Sequence, residues 1–319
     1  MPSLRILNAE PENYSAEAAS ILAGLGEVVN GPLQRADLLA ALPGLDILIV
    51  RLAHQIDREA LEQAGRLKAI VTATTGLDHI DLEYARLKGI AVLSLRGETE
   101  FLRSIPATAE LTWALLLALV RNLPAAAQSV TSGRWERDLF KGHDLAGRTL
   151  GILGLGRIAE KVAVYARAFD MRVIAFDTER KNWPAGVERL ASQSDLLRQS
   201  QVLTIHVPLN PSTTALIGTT QLALLPRGAV LINTSRGQVI DEAALLQALE
   251  SGQVAGAALD VLSEERTGDL PASPLIRYTR DHPNLLITPH IGGATYESMA
   301  ATEIFMAKKL KKYLEEPAQ

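Results

Sequence analysis

The chain has 319 residues, 47% hydrophobic against 21% charged, with 32 Lys+Arg against 36 Asp+Glu for a net charge of −4. At about 150 residues per domain that length predicts two domains, and the composition excludes a disordered or collagen-like chain. Scattered basic residues argue against a nucleic-acid partner, and the lack of any cysteine excludes disulfides, thiolate nucleophiles and Cys-ligated metal sites.

From Met1 to Leu7 the chain runs straight into a strand-like pattern without a signal-peptide core. Strands are predicted at 5–9, 27–30, 46–50, 69–73 and 91–95, with helical patterns between them at 15–25, 34–42, 57–64 and 81–87. This alternation reads as βαβ units on a parallel sheet, and the consecutive apolar run Ile47-Leu48-Ile49-Val50 suits strands covered on both faces. Residues 101–121 read as one long helix, apolar nearly all round from Leu111, and Pro124 opens a second. The greasiest part, 111–120, lies between Glu110 and Arg121 and is short of the roughly 20 residues a membrane span needs. A cytoplasmic protein with no membrane partner is expected. A helix so apolar needs cover on more than one side, which predicts a homodimer through it. A polar, aromatic segment at 133–142 leads into further strands at 149–153, 172–176, 202–207, 229–233, 256–259 and 285–288. Helices are predicted at 158–169, 194–199, 220–224, 241–250 and 295–314, the last free to cross back to the first domain. The fold class is α/β, with two doubly wound parallel-sheet domains.

Leu153-Gly154-Leu155-Gly156-Arg157-Ile158-Ala159 sets G-x-G-x-x-A at a strand-to-helix junction. Gly154 suits the tight turn, Gly156 lets the backbone approach a pyrophosphate, and Ala159 is small enough for close packing. The helix start at Arg157 and Ile158 offers N–H groups and a positive dipole end. A merely structural glycine turn is the bland alternative, and the context on both sides disfavours it. The next strand ends in Asp177, where a carboxylate would bind ribose hydroxyls and repel a 2′-phosphate, so NAD is the expected cofactor. Arg180 and Lys181 close by pull the other way.

Other strand ends also carry polar groups. His206-Val207-Pro208 closes one, and Thr234-Ser235-Arg236-Gly237 follows the next. Arg236 there could hold a carboxylate in a bidentate grip, although an Arg in such a place is more often a surface salt-bridge partner. Asp260, Glu264 and Glu265 follow a third strand, and Thr288-Pro289-His290-Ile291-Gly292-Gly293 the last. Hydride transfer to a 2-keto acid needs a cation on the carboxylate, a proton donor on the keto oxygen and a nicotinamide alongside. A carboxylate beside the His favours its protonated form. His54, His79, His143 and His282 read as surface or loop residues, His206 as lining the cofactor pocket, and no metal is expected.

With G-x-G-x-x-A, H-V-P-L, N-T-S-R-G, A-L-D-V and T-P-H-I-G-G in this order, nearly the whole chain resembles the D-2-hydroxyacid dehydrogenase family, its phosphoglycerate dehydrogenase-like branch in particular. The resemblance implies a flavodoxin-like substrate-binding domain at 1–100 plus 291–319 and a Rossmann NAD-binding domain at 101–290. It implies that Arg236 binds the substrate carboxylate and C2 oxygen, that His290 is the acid/base, and that Glu265 orients it. Asp260 would hold the nicotinamide carboxamide. Gly154, Gly156, Arg157, Ile158, Asp177, His206, Val207, Pro208, Thr213, Thr234, Ser235, Gly292 and Gly293 would surround the cofactor. Thr75 and Gly76 would offer backbone N–H groups to the substrate carboxylate. Arg51 sits where phosphoglycerate-specific members carry a phosphate-binding Arg, with Leu52 in place of a small polar neighbour.

The activity so implied is interconversion of a small D-2-hydroxy acid and its 2-keto acid with NAD. The substrate is 3-phosphoglycerate first, glyoxylate or hydroxypyruvate second. An NAD(H)-sensing binding protein of the corepressor type is the rival from another class. Two features depart from the family. Arg266 follows Glu265 where Pro is usual, and Glu265 is preferred to Glu264 because it stands five residues after Asp260. The segment 267–282, with Arg277, Tyr278 and Arg280, reads as a solvated loop, and no C-terminal regulatory domain is expected after Gln319.

Overall fold

The computed structural model describes residues 3–31, 33–265 and 269–315. The chain divides into two compact units, one of residues 1–105 with 294–319, the other of residues 106–293. The first begins β1 (Leu4–Asn8), α1 (Ala16–Ala23), β2 (Gly26–Asn30), α2 (Arg35–Ala41), β3 (Ile47–Val50), α3 (Arg58–Gln63), β4 (Ala69–Thr72), α4 (Leu82–Leu87), β5 (Ala91–Leu93) and α5 (Thr99–Arg103). Among the described residues the strands form a parallel sheet in the order β2-β1-β3-β4-β5. Side chains alternate across a strand, so Leu48, Val50 and Ile70 pack with Leu38, Leu61 and Ala85 on one face. Ile47, Ile49 and Val71 pack on the other with Leu22, Met306 and Leu310. Three helices of this unit, α1, α3 and α4, start at capping side chains: Ser15, Asp57 and Asp81 each accept a backbone N–H three residues on.

The second unit opens with α6 (Ala107–Val120) and α7 (Leu123–Thr131), then β6 (Thr149–Leu153), α8 (Arg157–Ala168), β7 (Arg172–Phe176), β8 (Glu188–Arg189), α9 (Gln193–Gln199) and β9 (Val202–Ile205). It continues with α10 (Thr219–Leu224), β10 (Ala229–Asn233), α11 (Glu242–Glu250), β11 (Val254–Leu259), α12 (Pro274–Thr279) and β12 (Leu285–Ile287). α13 (Tyr296–Glu315) then returns to the first unit. The sheet is parallel in the order β12-β11-β10-β9-β6-β7-β8, so the chain reverses direction between β6 and β9. In open α/β sheets that reversal opens a crevice at the carboxyl ends of the strands.

Three expectations are corrected here. The single helix predicted over 101–121 is two, because Pro106 lacks an N–H and keeps the residue before it out of helical conformation. The stretch Thr99–Val120 is long and apolar enough by composition to cross a membrane, yet this break divides it and Trp113, Leu115, Leu116 and Leu119 pack into the core beneath the sheet. Along α6 Glu110 and Ala114 are exposed, and Leu111, Leu117 and Ala118 are half-buried. His79, read as a surface or loop residue, lies in a turn but is fully buried. In the segment read as a loop, α12 forms and buries Leu275, while Arg266 and Thr267 lie outside the described residues.

Candidate active site

The nucleotide edge is built at the reversal point. Gly154, which follows β6, has φ +86°, and a Cβ there would meet Val207 Cγ1 at 2.8 Å and the His206 carbonyl carbon at 3.0 Å. Glycine is therefore required by conformation and by the approach of the β9 end. At Gly156, the N-cap of α8, a Cβ would have nothing within 4 Å, so open space lies before the helix N-terminus. The next residue, Arg157, is half-buried, and burial lowers its guanidinium below the usual range. Among the described residues it has no carboxylate or carbonyl partner. An unpaired, desolvated cation beside unclaimed helix N–H groups fits the pyrophosphate of a dinucleotide.

Asp177 ends β7. Its Oδ2 accepts Leu155 N at 2.7 Å, and its Oδ1 accepts Glu179 N at 2.8 Å and Arg180 N at 2.7 Å. Burial would raise this carboxyl, but the three N–H groups and the Arg180 charge outweigh it and hold it below the usual carboxylate range. At the β9 end, His206 Nε2 lies 2.9 Å from Thr204 Oγ1, and desolvation pushes the imidazole down to about 4, so it is neutral near pH 7. Thr213 is tied into its own loop, donating to the Pro208 carbonyl at 2.7 Å. Thr234, expected to line the cofactor cleft, spends its buried hydroxyl on Thr112 Oγ1 of α6 at 2.8 Å.

Arg236, Glu265 and His290 follow β10, β11 and β12, three neighbouring strands. Nδ1 of His290 stands 2.6 Å from Glu265 Oε1, and Glu265 Oε2 accepts Leu262 N at 3.2 Å. It is Glu265 that reaches the imidazole, and Glu264 is exposed. The His290 loop is stapled by Asp260, whose Oδ1 accepts Thr288 Oγ1 at 2.6 Å and Ile291 N at 2.9 Å. Its Oδ2 accepts Gly292 N at 2.7 Å. At 1% exposure, burial pushes the Asp260 carboxyl above the usual range, against the pull of those hydrogen bonds. Asp260 thus staples the loop that carries His290.

Three residues outside the expected set shape this corner. Buried Asn233 donates to the Arg236 carbonyl at 2.9 Å and accepts Ser235 N at 3.0 Å, which sets the turn that carries the guanidinium. Gln238 Nε2 donates to the Ser263 carbonyl at 2.7 Å, and Glu242 Oε1 accepts Ser263 N at 2.6 Å. Both backbone polar groups of Ser263 are thus gripped from the segment that begins with Arg236. Gly237 allows it, since a Cβ there would fall 2.1 Å from the Leu262 carbonyl carbon. Gln238 and Glu242 lie in the quoted chain next to N-T-S-R-G, but nothing local signals their partner.

In the first unit, Thr74 Oγ1 donates to the Gly76 carbonyl at 2.8 Å, and no described residue accepts the Thr75 or Gly76 amide. Arg51, expected to bind phosphate, is engaged otherwise. Its Nη2 donates to the Glu10 carbonyl at 2.9 Å, its Nε lies 3.8 Å from Glu10 Oε2, and its Nη1 lies 3.5 Å from buried Glu303.

Residues 113–292 match the model of the D-isomer specific 2-hydroxyacid dehydrogenase NAD-binding domain. The chain is 36% identical over 288 residues to hydroxypyruvate reductase of Thermotoga maritima, covering 90% of this chain and 91% of that protein. It is 38% identical over 315 residues to D-3-phosphoglycerate dehydrogenase of Methanocaldococcus jannaschii, covering 98% of this chain but 57% of that protein. The chain thus spans a little over half the length of that relative. Among solved structures, D-lactate dehydrogenase from Aquifex aeolicus, complexed with NAD and lactic acid, superposes with a TM-score of 0.86 at 28% identity, over 98% of this chain and 95% of that one. The chain belongs to the D-isomer specific 2-hydroxyacid dehydrogenase family.

Proposed function

We propose that the protein interconverts a small D-2-hydroxy acid and its 2-keto acid with NAD, and the contact of His290 with Glu265 carries this reading. The nicotinamide, when bound, supplies or accepts the hydride. Glu265 on Nδ1 fixes the imidazole tautomer and leaves Nε2 to give or take the proton at the C2 oxygen. Arg236, with a planar fork, suits the substrate carboxylate better than a lysine would. Arg157 and the α8 N-terminus suit the pyrophosphate, and Asp177 the ribose. The charge pairing of Arg51 bears on the substrate: a phosphate there would meet Glu10 and Glu303. We therefore place hydroxypyruvate and glyoxylate ahead of the phosphorylated acid. Purified protein, given NADH and a panel of 2-keto acids, tests this by loss of reduced-nicotinamide absorbance. No turnover of any 2-keto acid would end the reading.

The proposal includes a homodimer. Its support is a run of large apolar side chains left bare on α7 and the segment after it: Leu123 and Val130 at 52% exposure, Leu139 at 69% and Trp135 at 87%. Patches of this kind mark association surfaces.

A further inference from the structure

Arg180 stands where a cation in this fold would greet the 2′-phosphate of NADP, three residues beyond Asp177. Its guanidinium is already committed. Nη1 donates to the Leu155 carbonyl at 3.1 Å, Nε donates to the Asn182 carbonyl, and Nη2 pairs with the Glu160 carboxylate. Of these partners only Glu160 is charged, and it sits in the first turn of α8, where the helix dipole favours an acid. The pair is partly shielded, with side-chain exposures of 28% and 36%.

We propose that Glu160 sets the choice between NAD and NADP by holding Arg180 away from a 2′-phosphate. Such a phosphate, carrying about −1.5 to −2 charges, would meet the carboxylate of Asp177. The Arg180 guanidinium would have to break its ion pair with Glu160 before it could answer that charge. Lys181, the next cation along the chain, is exposed, and its attraction is weakened by water and salt. Discrimination is thus built from a repulsive carboxylate and a sequestered counter-ion rather than from Asp177 alone.

The inference rests on the dinucleotide reading and is tested by equilibrium binding of NADH and NADPH to the full chain without substrate, followed by reduced-nicotinamide fluorescence. Wild type should prefer NADH by at least about tenfold. Glu160→Gln, which keeps the size, and Glu160→Ala should tighten NADPH by about tenfold and leave NADH within about twofold. Glu160→Ala with Arg180→Ala should lose that gain, since no guanidinium is then released. An unchanged NADPH-to-NADH ratio in both single variants would overturn the role of Glu160 while leaving the dinucleotide reading standing, as would a gain that survives loss of Arg180. Wild type binding neither nucleotide would overturn both.

Discussion

The His290 imidazole meets Glu265 at 2.6 Å from a backbone held at φ +54°, in the left-handed region that side chains avoid. Such a conformation costs on the order of 1–2 kcal/mol. The bonds from Thr288, Ile291 and Gly292 to Asp260 hold the loop there, so His290 is aimed by a rigid turn rather than by a free side chain. Glu265→Gln keeps the size but removes the carboxylate that holds Nδ1, so turnover should fall in both directions. Glu264→Gln, at an exposed position, should leave turnover in place. Steady-state rates in both directions check this.

His290→Ala should lower turnover by about 10²–10⁴, the usual worth of a positioned acid/base. NADH affinity, measured by fluorescence titration, should remain within about threefold, because the pyrophosphate and ribose contacts proposed above lie at other strand ends.

The clamp on Ser263 predicts a graded response. Glu242→Ala removes the acceptor for Ser263 N and should lower turnover, by less than Glu265→Gln does. Glu242→Gln keeps an acceptor oxygen and should restore most of it. Gly237→Ala places a methyl against backbone and should cost about 1–3 kcal/mol of stability, as overpacking does, with loss of activity beyond that of Glu242→Ala. Thermal melts paired with steady-state rates separate the two effects.

His206 predicts a stability slope. Its folded value, about 4, lies below its ordinary 6.5, so the unfolded chain takes up the proton first as pH falls. Its contribution is therefore complete above about 6.5 and is lost between there and about 4, by up to about 1.4 kcal/mol per pH unit. His206→Gln should flatten denaturant-derived stability across that window.

Trp135→Ala with Leu139→Asp should convert a dimer into a species near 34.4 kDa by sedimentation, if the bare face beyond α7 is the one that associates. A wild-type chain already sedimenting at that mass would end the dimer proposal.

The strands, the glycine turn and the polar strand ends were legible because each is a local pattern. An unbroken apolar run marks β3, and Gly154 marks a turn that only glycine allows. The break at Pro106 carried a signal too, which the apolar run around it masked. β8 had none, being two exposed residues at a sheet edge. The Asp260 staple, the Ser263 clamp and the Arg180–Glu160 pair were hidden for another reason. Each joins residues about 20 to 32 positions apart, and no one-dimensional period reports which polar side chain meets which backbone amide.

The return of α13 imposes a timetable on synthesis. Met306, Ala307 and Leu310 fill the face of the five-stranded sheet that also takes up Leu22, so that face stays partly bare until α13 has left the ribosome. Residues 106–293 intervene as one contiguous stretch. Each nascent chain therefore carries an open hydrophobic sheet face for as long as those residues are being made. That exposed sheet is the species on which chaperones would act and from which aggregation would start.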